Sequence, residues 1–190
     1  MSCENESRGT GAYGNEPRPA GPSQARQEGA DGRPAGHAYL FGLGSPHGGD
    51  RLGWLAADGL RDALAGRDDV SVDCLAQPVD LFLHAVTASD RLLLVDAMRG
   101  QGPPGTLKAF APGELPTAAA RLSSHGLDLA GTLALVEALG LFRAGIRVIG
   151  IEMPEKTGPD TPGPEMTAPG LDAAQARRLH AAVLDWLDAG

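Results

Sequence analysis

Cysteine is scarce in this chain. Cys3 and Cys74 are the only two among 190 residues, too few for a disulfide framework, so a reduced cytoplasmic protein is expected. Basic residues are outnumbered, with 16 Lys and Arg against 24 Asp and Glu and a formal net charge of −8. That balance gives no support to nucleic-acid binding, which favours a basic footprint. Long apolar runs are missing too: none approaches the roughly 18 to 20 residues of a membrane-spanning helix, and the N-terminus has no apolar signal core. No nucleic acid and no membrane are therefore expected as partners.

Several signature loops are also absent. No Gly-Lys-Ser/Thr occurs, so there is no Walker loop. Gly42 and Gly44 are followed by Ser45, Pro46 and His47, which breaks the dinucleotide spacing. Ser45 in GLGSPHG does not fit a nucleophile elbow. What is present is a globular composition, 42% hydrophobic and 21% charged, in a chain long enough for one domain with a substantial core.

Residues 1 to 36 are rich in Gly, Pro, Ser, Arg and Glu without apolar periodicity. Such a segment buries too little surface to offset its ordering entropy, and a disordered tail is expected. Residues 37–190 are read as a single domain. Short apolar runs at Ala38–Leu43, Val70–Cys74, Arg91–Val95, Thr106–Phe110 and Ile146–Ile151 predict strands. Helical spacing predicts helices from Leu52 to about Gly66, over Val79–Val86, through Leu129, Leu133, Val136 and Leu139, and through Ala176, Leu179, Val183, Trp186 and Leu187. Strands alternating with helices imply a three-layer α/β sandwich with a mostly parallel sheet. Thr106–Phe110 follows its predecessor too closely for a helical crossover, so antiparallel pairing is expected there.

Ligands in open α/β sheets gather beyond the carboxyl ends of the strands. Asp50 follows the first strand, Asp96 ends the third, and His125 opens a helix. Two carboxylates and an imidazole make a mixed O/N set suited to zinc, nickel or another borderline divalent ion. Each has a plainer alternative: Asp50 as a helix N-cap, Asp96 as a turn cap, His125 as a local hydrogen-bonding group beside Ser123 and Ser124. Cys74, at a strand end, reads as a buried structural thiol.

Four blocks, in order, resemble the nickel–iron hydrogenase maturation endopeptidases: GLGSPHGGDRLGW, LLLVDAMRGQGPPGTLKAF, SSHGLDLAGTLALVEALG and VIGIEMPE. The resemblance runs from about Tyr39 to Trp186. It implies an enzyme that clips a C-terminal extension from the hydrogenase large-subunit precursor after nickel insertion. Nickel, supplied by that partner, would be recognised by Asp50, Asp96 and His125, and Asp73 would serve substrate recognition. Two departures stand out. The acidic pair of the first motif is Gly49-Asp50 here, with Arg51 next to it. The family's Asp-Gly-Gly-Thr block is replaced by Asp73-Cys74-Leu75-Ala76-Gln77. These departures keep open a second reading, a non-proteolytic metal-binding accessory protein that recognises a hydrogenase subunit. A small-molecule hydrolase or nucleotide binder is a third.

Overall fold

The computed structural model describes residues 36–45, 51–115, 129–153 and 171–189. Five strands form one sheet in the order β2-β1-β3-β5-β4. They are β1 (Ala38–Leu43), β2 (Val70–Leu75), β3 (Arg91–Met98), β4 (Leu107–Phe110) and β5 (Gly145–Glu152). The first three and β5 are parallel, and β4 pairs antiparallel along β5 at the sheet edge. Strands β1 and β3 are almost wholly buried because helices cover both faces, which explains their unbroken apolar runs.

Strand alternation divides the core in two. Ala38, Leu40, Leu93, Val95, Ala97, Ile149 and Ile151 face helices α1 (Leu52–Ala63) and α3 (Ala173–Asp188). Tyr39, Phe41, Leu92, Leu94, Met98 and Val148 face helix α2 (Leu129–Ala138) and a 3-10 turn over Pro78–Leu83. The three-layer α/β architecture expected from the sequence is therefore present.

Helix α1 is seated unusually close to the sheet. A Cβ on Gly53 would lie 2.0 Å from the Leu43 carbonyl oxygen and 2.7 Å from that of Val95. A Cβ on Gly42 would lie 2.1 Å from the Gly53 carbonyl oxygen. Two absent side chains thus let the first turn of α1 rest directly on the carboxyl ends of β1 and β3. Trp54 holds the helix laterally, its indole N–H donating to the Leu75 carbonyl at 3.1 Å.

The opposite end of the molecule is closed by charge. Arg91 donates to the carbonyls of Leu187 and Trp186 at the end of α3, and its guanidinium lies 4.2 Å over the Trp186 ring. Cations at a helix C-terminus satisfy the orphan carbonyls there. Helix α3 starts as firmly: the Asp172 side chain accepts from the backbone N–H of Ala174 and Gln175, and the Gln175 side-chain oxygen accepts from the Asp172 backbone N–H. Arg67 grips Asp69 through two hydrogen bonds, which hold that carboxyl below its usual range.

Several boundaries differ from the sequence reading. β3 continues past Val95 to Met98 because β5 pairs with it as far as Met98↔Glu152, so Asp96 lies within the strand and does not end it. Pro78–Leu83 forms a 3-10 turn where a helix over Val79–Val86 was expected. Pro78 opens it and His84 returns to extended backbone, which stops propagation. Helix α1 stops at Ala63, before Gly66. β4 begins at Leu107, Thr106 being used in a turn whose hydroxyl donates to the Pro103 carbonyl. In α3, Ala176 is exposed while Leu179, Val183 and Leu187 are buried. The tail over 1–35 lies outside the described residues.

Candidate active site

The carboxyl ends of β1, β2, β3 and β5 all point to one edge of the sheet, and Asp96 stands there on the central strand. Its side chain belongs to the α2 face, because Leu94 and Met98 pack in the α2 core while Val95 and Ala97 pack in the α1 core. The residue is 2% exposed. One carboxylate oxygen accepts from the Ala97 backbone N–H at 2.7 Å. Its partner across the ladder is Gly150, and the Met98 side chain occupies the space a Cβ there would take. A buried carboxylate is costly to desolvate, and nothing in strand formation requires an acid at this position.

A second buried acid, Glu152, ends β5 at the same edge. Its two carboxylate oxygens accept from Gly100 N at 2.7 Å and Gln101 N at 2.8 Å. Its backbone binds the same loop twice more, through Gly105 N and the Thr106 carbonyl. Glu152 therefore staples the loop following β3 to the end of β5, and the positive φ of Gly100 and Gly105 lets that loop turn. Glu152 lies in the VIGIEMPE block. Its signal was an acid directly following IRVIGI.

Asp50 and His125 lie outside the described residues, as do Ser123, Ser124 and His47. The described chain resumes one residue after Asp50 with Arg51, which is the N-cap of α1 and makes no side-chain capping bond. It resumes four residues after His125 with Leu129, the first residue of α2. Among the described residues no group of three or more His, Cys, Asp and Glu is arranged to hold a metal ion.

Asp73 is exposed, and its carboxylate accepts from the Cys74 backbone N–H at 2.8 Å. Both residues lie inside β2, which pairs with β1 through Leu43↔Leu75. Cys74 is half-buried, less enclosed than the sequence reading expected, with its sulfur 3.9 Å from the Arg61 guanidinium.

A family model described as hydrogenase maturation protease, HycI, matches residues 73–175, just over half of the chain. The chain belongs to the hydrogenase maturation protease family. Members of this family are peptide hydrolases that act on hydrogenase precursors, so the protein is placed among enzymes. No curated protein sequence matches it. Similar solved structures include the [NiFe] hydrogenase maturation protease HybD from Thermococcus kodakarensis. That pair has a TM-score of 0.57 and 19% identity, covering 79% of this chain and 98% of that one. HycI from the same organism gives a TM-score of 0.55 at 20% identity, over 81% of this chain and 92% of that one. The hydrogenase maturating endopeptidase HybD from E. coli gives 0.55 at 21% identity, over 80% and 93%. At these identities the likeness is one of fold. Among the described residues no helix is long and apolar enough to cross a membrane.

Proposed function

We propose that this hydrogenase maturation protease is an endopeptidase that removes a C-terminal extension from a nickel–iron hydrogenase large-subunit precursor. In this reading the nickel arrives as part of the substrate and is recognised by Asp50, Asp96 and His125. The observation that carries the reading is Asp96, a buried carboxylate on the central strand at the ligand-binding edge of an α/β sheet.

The neighbouring elements support its two partners. Helix α1, which begins one residue after Arg51, rests its first turn on the carboxyl ends of β1 and β3. Helix α2 ends at Ala138, and a short turn hands the chain to the start of β5. Its first residue therefore points back toward the carboxyl edge, on the face that Asp96 shares. Asp50 immediately precedes Arg51, and His125 precedes α2 by four residues. Two carboxylates and an imidazole are a donor set that borderline divalent ions accept.

Bound in the precursor, nickel supplies Lewis-acid polarisation of a carbonyl or a water. The chain's own contribution is to seat the precursor so that its scissile peptide lies against Asp96, behind the apolar strand ends that limit water. Another divalent ion is compatible with the same donors.

His125→Ala is expected to abolish cleavage of a nickel-loaded precursor and leave the melting temperature unchanged. Intact-mass spectrometry of the precursor reads the outcome, and full processing by this variant sinks the role given to His125.

A second reading has its own observation. The segment Asp73–Leu75 replaces a glycine-bearing block with regular strand, fully paired to β1. If this rigid segment has lost a substrate-handling task, the protein is a non-proteolytic accessory that binds nickel-loaded precursor. Binding with no change in precursor mass would establish it. Residues 37–190 as one domain and a cytoplasmic location remain part of the same proposal.

A further inference from the structure

Helices α1 and α3 lie side by side on the face of the sheet opposite the one that Asp96 shares with α2. Between them runs an open groove of about 430 Å³, within the size range of ligand pockets. Its α1 wall follows the helix from Leu55 to Ala63, a rise of about 12 Å. We propose that this groove binds a medium-chain aliphatic carboxylate, its tail along α1 and its carboxylate on Arg177 and His180 of α3. The site is separate from the peptide-cleaving reading above and stands or falls without it.

Three observations carry it. First, one whole side of the groove is apolar. Every α1 residue that lines it, Leu55 and Leu60 among them, has a hydrocarbon side chain or none. Leu60 and Leu179 are buried members of the core, so the protein interior fixes the shape of the groove. Second, the groove is unfilled at Gly59. Apart from the helix's own backbone and its chain neighbours, no heavy atom lies within 4 Å of where a Cβ would stand there. Glycine is an unfavourable residue in a helix interior, and here it leaves room beside the apolar wall. Third, the polar groups stand on the α3 wall alone. Arg177 and His180 are three residues apart on α3, which makes them neighbours on the helix surface. Among the described residues neither side chain has a hydrogen bond or ion pair, and no Asp or Glu lines the groove.

These features select the ligand. An alkyl chain laid on the α1 wall leaves water in proportion to the area it buries. Arg177, with no acid beside it in the groove, complements an anion, and its planar guanidinium meets a carboxylate through two parallel hydrogen bonds. The imidazole of His180 adds a further N–H donor. A folded protein partner suits the groove less well. Its ten lining residues fall short of the roughly 20–30 that a stable interface uses on each side.

The test follows backbone amide shifts of the full isotope-labelled chain during titration with octanoate, octanol, octylamine or acetate. Octanoate is expected to shift Gly59 and His180. It should bind roughly tenfold more tightly than octanol, which lacks the charge, and than acetate, which lacks the tail. Arg177→Gln should remove the advantage over octanol. Gly59→Leu should fill the groove and abolish binding of both, while the protein stays folded. The first variant keeps the test alive if the second fails to fold. No binding of octanoate, equal binding of octanol or octylamine, or unchanged octanoate binding in folded Gly59→Leu overturns the proposal. An acetylated Leu-Leu-Glu amide that binds more tightly than octanoate would assign the groove to a protein partner and overturn it as well.

Discussion

Replacing Asp96 by Asn is expected to abolish processing of a nickel-loaded precursor while the protein melts at or above the wild-type temperature. The two outcomes separate a functional acid from a structural one. Asn has nearly the shape of Asp, and its amide oxygen can still accept the Ala97 N–H that Asp96 accepts at 2.7 Å. What it loses is the negative charge, in a position 2% exposed. Asn leaves no cavity and relieves the desolvation cost of a buried carboxylate. A carboxylate kept for folding would instead cost stability when neutralised. Loss of an interaction made only on the reaction path is worth on the order of 10² to 10³ in rate. A single-turnover comparison by mass spectrometry has the range to see it, and processing within threefold of wild type would remove Asp96 from the site.

Gly53→Ala is expected to be strongly destabilising. The added carbon falls 2.0 Å from one backbone oxygen and 2.7 Å from another, and backbone in two central strands has nowhere to go. Overpacking of this kind costs about 3 kcal/mol or more, which lowers the melting temperature by roughly 10 °C in a domain of this size. Helix α1 supplies the control. Gly59 lies six residues along it with open space where a Cβ would stand, so Gly59→Ala should gain about 0.5–1 kcal/mol from helix propensity. Thermal melts of the two variants should move in opposite directions. Equal shifts would mean that α1 is not seated on the strand ends as described.

Both effects bear on how far the fold could be read from the chain. Where burial on two faces forced unbroken apolar runs, as in AYLFGL and RLLLV, the strands and their order in sequence were plain. The antiparallel β4 followed from a connection too short for a crossover. The extent of β3 was not legible, because Asp96 to Met98 is strand only by virtue of pairing with a distant partner, β5. Gly42 and Gly53 mattered for a reason that periodicity does not encode, the close approach of a helix turn to two carbonyls. Glu152 was visible as an acid after an apolar run, yet its job depends on backbone donors fifty-two and fifty-one residues away.

The candidate site divides along the same line. Asp96 could be picked out by its setting, an acid continuing an apolar run, and the strand buries it. Asp50 and His125 rest on the family resemblance and on the places where α1 and α2 begin.

The central claim is that this protease cuts a precursor whose nickel it recognises. Intact-mass spectrometry of a purified large-subunit precursor, incubated with the full wild-type chain once with nickel loaded and once without, tests it most directly. The account predicts that the nickel-loaded precursor alone loses the mass of its C-terminal extension. A precursor that keeps its full mass when loaded, or is cut equally well without nickel, would contradict it.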